Sequence, residues 1–248
     1  MGVNRELHGV DVVILDGRSG SGKTSLAARI AERFRADGRP AAVLHVEDLY
    51  PGWDGLAAGS RAVPEALAMG VYRRYDWEAR AFAERVPVPA GVPLIIEGCG
   101  ALTAANLAAA VARVRAGSSE RVGADAAERV GAGAAEQVRA DAAERARAGA
   151  AARRSADGAA PGRSAAGTGE RVAAMRAAGE IAGGSGAARQ RVRAVWLDCP
   201  EALRRERALA RDGDVFAPHW ERWAAQEAAF FAAHEPWALA DEVIACDV

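Results

Sequence analysis

Lysine is almost absent from this chain. Of 248 residues, 32 are lysine or arginine, and only one of those, Lys23, is lysine. Cysteine is scarce as well. Cys99, Cys199 and Cys246 stand far apart and form no C-x-x-C pair, which excludes a zinc ribbon; the expectation is three buried thiols in a reducing compartment, with no disulfide. No apolar run is long enough to cross a bilayer, and no basic stretch leads into an apolar one near Met1, so neither a membrane span nor a secretory leader is expected. The formal net charge is −1, which removes any global electrostatic case for a nucleic-acid partner. These absences together predict a cytoplasmic protein without nucleic-acid or membrane partners, and they leave its oligomeric state open.

The single lysine is where chemistry is easiest to read. Lys23 closes the run Gly17-Arg18-Ser19-Gly20-Ser21-Gly22-Lys23-Thr24, which fits the pattern G-x-x-x-x-G-K-[ST]. Such a loop turns backbone N–H groups inward on phosphates, and a compact ammonium on a flexible stem fits where a planar guanidinium does not. Gly17, Ser19, Gly20, Ser21, Gly22, Lys23, Thr24 and Ser25 are therefore the candidate nucleotide-binding residues. The Thr24 hydroxyl would serve Mg²⁺, and the helix that follows would aim its positive end at the anion. The flanks agree. Asp11 to Asp16 is a β-branched apolar run suited to a buried strand, and Leu26, Ile30 and Phe34 form the apolar stripe of a helix that Gly38 stops.

Further strands are expected over 41–46, 92–96, 192–197 and 242–246, with helical stretches between them. That alternation predicts an α/β fold: a doubly wound, mostly parallel five-stranded sheet with helices on both faces. Each of the first four strands ends in or beside an acidic residue, at the sheet edge where ligands bind. One segment breaks the pattern. Residues 117–190 are dominated by Ala, Gly, Arg and Glu, with an eight-residue repeat restarting at Glu120, Glu128, Glu136 and Glu144. At about 100° per residue an octad rotates its valine by about 80° each time, so Val122, Val130 and Val138 never form a seam. The domain reading is accordingly 1–116 with 191–248, interrupted by a low-complexity insertion that is disordered or loosely helical.

Glu47 and Asp48 close the second strand, where a carboxylate would take the proton of an attacking hydroxyl. Tyr50 and Trp53 follow on a loop that would contact an acceptor molecule. The cluster Tyr72-Arg73-Arg74-Tyr75-Asp76-Trp77 would form another wall of that site through Arg74 and Asp76, or else open a helix with Asp76 as its cap. Leu94-Ile95-Ile96-Glu97-Gly98 reads as an apolar strand ending in a second carboxylate for Mg²⁺. Arg204, Arg207 and Arg211 fall on one helical face before Asp212-Gly213-Asp214 breaks the helix; a mobile segment of this kind would close over the triphosphate. Trp220, Trp223, Phe230, Phe231 and Trp237 read as packing residues, and His45, His219 and His234 as structural.

Taken together, Gly17–Thr24, Glu47-Asp48-Leu49-Tyr50, Ile95-Ile96-Glu97-Gly98 and the arginine helix after Trp196-Leu197-Asp198 resemble the uridine kinase and nucleoside kinase-like P-loop kinases. Nicotinamide riboside kinases, bacterial-type pantothenate kinases and phosphoribulokinases are related branches. The likeness takes in the chain except residues 117–190. It implies a P-loop NTPase fold and Mg²⁺-ATP-dependent phosphorylation of a hydroxyl on a small, nucleoside-like acceptor. It also implies roles: Lys23 and the lid arginines Arg207 and Arg211 acting on the transferred group, Arg204 on ATP, and Thr24 with Glu97 on the metal. In that family an Asp is the base at the head of an Asp-x-aromatic-aromatic turn. Glu47 fills that slot here, a departure, with Asp48 beside it. Two other readings stand alongside: a nucleotide-binding regulatory or assembly protein whose insertion is an interaction arm, and a nucleotide kinase whose phosphate acceptor would meet Arg73 and Arg74.

Overall fold

The computed structural model describes residues 7–119 and 184–246. Two compact units are separated along the chain, Met1–Gly117 with Gly183–Val248 and Ser118–Ala182. The octad repeat and nearly all of the expected insertion lie outside the described residues.

The first unit is built on a five-stranded sheet in the order β2-β5-β1-β6-β7. Its strands are β1 (Val12–Gly17), β2 (Ala42–His45), β5 (Leu94–Glu97), β6 (Val192–Asp198) and β7 (Glu242–Ala245), every neighbouring pair parallel. Strand β1 runs down the middle, paired from Val12↔Leu94 on one side and from Val12↔Val192 on the other. All six of its residues are buried, which is why Val12 to Leu15 run continuously apolar instead of alternating.

Side-chain alternation divides β1 between two cores. Val13 and Leu15, with Ile95, Val195 and Leu197, meet Leu26, Ile30 and Phe34 of helix α1 (Lys23–Ala36). Val12 and Ile14 face the opposite layer. That layer holds helices α2 (Leu56–Met69), α3 (residues 104–119), α4 (Gly184–Gln190), α5 (Glu201–Phe216) and α6 (Trp220–His234). A short helix α7 (Pro236–Leu239) precedes β7. The doubly wound, helix-covered parallel sheet is the fold class expected from the sequence, with strand ends within two residues of the anticipated ones.

Two features depart from expectation. Residues 72–77 open no helix. Tyr72 to Asp76 belong to strand β3 (Val71–Asp76), which pairs with β4 (Ala81–Pro87) in a separate antiparallel hairpin, and Trp77 begins its turn. Asp76 does cap a turn, but it is the hairpin's: its Oδ1 accepts the N–H groups of Glu78 and Ala79. The second departure corrects the reading of three thiols. Cys199 and Cys246 are bonded to each other, with Cα atoms 4.9 Å apart. Register explains the pairing: Asp198 lies beside Ala245 in parallel strands, so the next residue of each chain segment lands next to the other. Cys99 alone is free and buried. No helix among the described residues is long and apolar enough to cross a membrane.

Asp16 at the end of β1 is wholly buried, and its carboxylate accepts the N–H groups of Gly17, Gly100 and Leu102. Burial pushes its pKa up to about 7, against the pull of those three donors and of Lys23. The folded chain therefore holds this proton more tightly than the unfolded chain does. The stability it contributes is complete below the ordinary value of 3.8 and is lost as pH rises through about 7. In urea titrations, the stability advantage of the wild type over Asp16→Asn should shrink between about pH 4 and 7 and level off above that; a constant difference would contradict this account.

Candidate functional site

Helix α1 begins without a side-chain cap. Its Ncap is Gly22, with φ 91° in the left-handed region, and its first turn carries no acidic residue. The amides of that turn are thus left for an outside acceptor, and they open at the carboxyl end of the central strand. The loop before them is drawn tight by the Ser21 N–H donating to the Arg18 carbonyl and by Lys23 Nζ donating to the same oxygen, at 3.1 Å in both cases. Lys23 is 7% exposed, so its ammonium is fixed inside the turn. Burial works against its charge, but neighbouring Cys99, Glu227, Glu97 and Asp16 outweigh that and hold its pKa above the usual value. Ser21 Oγ is buried with no partner, an orphan hydroxyl at a loop built to meet oxygen-rich anions.

Glu97 arrives from β5, which lies directly beside β1. Thr24 Oγ1 donates to its carboxylate at 3.3 and 3.4 Å. From β2, His45 Nδ1 sits 2.5 Å from Glu97 Oε1. Burial alone would raise the Glu97 pKa, but His45, Lys23 and Thr24 together bring it below the ordinary value, so the carboxylate is charged. The strand order β2-β5-β1 sets these side chains in one row. A hydroxyl and an ionised carboxylate are the hard oxygen donors that Mg²⁺ accepts, and a nucleotide's phosphates and waters would complete its shell. Among the described residues no cluster of three or more His, Cys, Asp or Glu side chains forms an all-protein metal cage.

A cleft of about 580 Å³, counting the space it shares with open solvent, starts at this row. Ser19, Gly20, Lys23, Thr24 and Glu97 line it, together with the aromatic side chains Tyr50, Trp53, Trp77, Phe216 and Trp223. Glu47, Arg211 and Asp212 lie on its wall as well. Tyr50 and Trp223 meet with ring centroids 5.1 Å apart, Trp53 and Trp77 at 5.0 Å, and Trp53 stacks on Phe216 at 5.4 Å. These aromatic side chains form a preassembled apolar wall.

The two candidate base residues part company. Glu47 lines the cleft and is exposed to the solvent in it, so the partial desolvation that raises its carboxyl pKa, against the pull of Arg211, is weak. Asp48 accepts a hydrogen bond from the Tyr72 hydroxyl at 2.9 Å and is absent from the cleft wall. The arginine helix divides in the same manner. Arg211 is on the cleft wall, paired with Asp212 through Nε and Nη2 at 2.8 and 2.6 Å. Arg207 is exposed and off the wall. Arg204 is 5% exposed and lies along the phosphate loop, donating from Nε to the Cys199 carbonyl at 3.0 Å and from Nη1 to the Ser19 carbonyl at 3.2 Å. Helix α5 kinks at Gly213, φ 50°, as the Asp-Gly-Asp run suggested. Tyr50 and Trp53 are on the wall, whereas Arg74 is exposed in an ion pair with Glu84 across the hairpin and Asp76 caps its turn. Ser25 is exposed on α1, off the wall.

Two participants do not stand out in the sequence. His45 reads as structural there, and in the fold it is bonded to Glu97. Trp77, a member of the cluster expected to wall the acceptor site, does line the cleft, from just beyond β3. Glu227 is 1% exposed on α6 and touches the loop directly. Its signal was present: Trp220, Trp223, Glu227 and Phe231 form a stripe of buried residues on one helix face, and one of them is a carboxylate.

No family model matches the chain. It is 33% identical over 103 residues to a tRNA dimethylallyltransferase from Clavibacter sepedonicus, an overlap of 36% of this chain and 34% of that protein. The chain thus spans about a third of the length of the curated relative it matches. Among solved structures it is similar to one described as a possible uridine kinase from Bacillus stearothermophilus, with TM-score 0.42 and 15% identity over 98% of this chain and 92% of that one. A second, from Silicibacter sp. TM1040, is described as a fructose transport system kinase, an assignment its own description marks as provisional; TM-score is 0.42 and identity 18%, over 97% and 91% of the two chains.

Gly20 offers a direct check on the loop. Its φ is +79°, and a Cβ there would stand 2.0 Å from the Arg204 carbonyl oxygen. Gly20→Ala should leave the sheet folded but displace the loop, weakening Mg-ADP binding by at least roughly tenfold in calorimetry. Unchanged affinity would contradict the placement of this turn.

Proposed function

We propose that the protein is an ATP-dependent phosphotransferase acting on a hydroxyl of a small, ring-bearing acceptor, a nucleoside-like molecule among the candidates, in the cytoplasm. The observation that carries this reading is one cleft. Its lining combines a lysine-filled turn with free helix amides, five aromatic side chains and the Glu47 carboxylate.

Lys23 and the amides of the turn would hold the β- and γ-phosphates. Thr24, with Glu97 behind it, would hold Mg²⁺, which supplies charge neutralisation on the triphosphate when bound. His45 keeps the Glu97 carboxylate turned toward Thr24. Glu47, a carboxylate on the cleft wall, would take the proton of the acceptor hydroxyl. Arg211, near the kink at Gly213, would neutralise charge on the phosphoryl group in flight. The aromatic wall favours an acceptor with a flat face and excludes water from the reacting end.

The test is ADP release measured against nucleosides, vitamin precursors and sugar alcohols, with phosphorylated product confirmed by mass. With an active acceptor, Lys23→Ala should lower kcat/KM by roughly a thousandfold. Glu47→Gln should lower kcat by about a hundredfold or more, and Asp48→Asn should change it only a few-fold. A Glu47→Gln protein with full activity would remove the base assignment; turnover of dimethylallyl diphosphate with tRNA, and none of ATP, would overturn the proposed reaction.

A further inference from the structure

Ser19 lies at the crown of the phosphate loop, and its peptide groups are gripped from two directions. Its N–H donates to Glu227 Oε1 at 2.6 Å, and its carbonyl accepts from Arg204 Nη1 at 3.2 Å. Both side chains are buried, at 1% and 5% exposure, and they face each other with Arg204 Nη1 3.8 Å from Glu227 Oε2. Glu227 is held in turn by the Trp223 indole N–H at 2.9 Å and by the Cys99 thiol at 3.2 Å. Arg204 is anchored to the Cys199 carbonyl, and its own carbonyl lies flush against Gly20.

A buried carboxylate beside a site meant for phosphate looks counterproductive, because it repels the ligand. Its value must therefore lie in geometry. A donor and an acceptor on the two sides of one residue fix that residue's orientation, whereas either alone would let it swing. We propose that Glu227 and Arg204 are positioning residues: together they lock Ser19, so that the amides following it stay aimed into the turn before nucleotide arrives. The inference takes the loop to be a nucleotide site, as in the function proposed above, but it concerns how the empty loop is held and not the transfer step. On this account α6 does more than cover the sheet; a carboxylate on its buried stripe determines loop shape.

Glu227→Met keeps the side-chain length and removes both the charge and the acceptor for the Ser19 N–H. If the carboxylate acted only through electrostatics, its loss would tighten Mg-ADP binding. If it positions Ser19, binding should weaken by roughly tenfold, and hydrogen exchange at the Ser19–Gly22 amides of the unliganded protein should accelerate while exchange in β1 stays unchanged. Glu227→Met with Arg204→Met should cost scarcely more than the worse single change, because one clamp is broken once. Should Glu227→Met not fold, Glu227→Asp, which keeps the charge and withdraws it by one methylene, should show the same local exchange and the same weakening. Unaltered exchange at Ser19 with equal or tighter binding in a folded variant would overturn the clamp. A wild type whose Ser19 amides are protected but which binds no nucleotide would leave the clamp standing and overturn the proposed function instead.

Discussion

The uncapped amino end of α1 is the constraint around which the rest is arranged. A helix start without a capping side chain, without an acidic first turn and with a left-handed glycine at its head leaves donors for water or an outside acceptor, and its dipole favours an anion there. The central position of β1 fixes where that end points, and β5 and β2, lying in order beside it, bring Glu97 and His45 to the same edge. Leu197 and Arg204 press against Gly17 and Gly20 closely enough that a methyl group at either glycine would collide.

Helix α6 ties two parts of the cleft lining together. Glu227 reaches the phosphate loop, while Gln226 donates to the Trp53 carbonyl at 2.7 Å and Arg222 pairs with Asp54 on the following residue of that loop. Trp223 lies between them on the cleft wall and donates to Glu227. One helix thus carries contacts to the glycine-rich turn before α1 and to the loop that bears Trp53. Movement of either would be felt by the other through a single rigid element.

Local sequence carried the parts of this architecture that depend on local physics. The buried strands are short β-branched runs, the stripe of α1 has helical spacing, and the loop has a fixed pattern of glycine and lysine; each reads without knowing what lies across the fold. What was not legible depends on contacts distant in sequence. Cys199 and Cys246 are 47 residues apart and meet only because β6 and β7 happen to be in register. The hairpin of β3 and β4 was obscured because Asp76 suits a helix cap and a turn equally well, and only the pairing of Val71 with Pro87 decides. Glu47 and Asp48 are indistinguishable neighbours until Tyr72, from that same hairpin, claims Asp48. Arg204 and Arg211 share a helix face, yet one is buried against the loop and the other borders the cleft.

The central claim is that the turn from Gly17 to Thr24 grips a triphosphate. A crystal structure with Mg²⁺ and a non-hydrolysable ATP analogue tests it most directly. The account predicts the β-phosphate inside the turn, within hydrogen-bonding distance of the amides after Ser19 and of Lys23 Nζ, with Thr24 on the metal and the γ-phosphate facing Glu47. A triphosphate seated elsewhere, or a turn that stays closed on itself at saturating analogue, would contradict it.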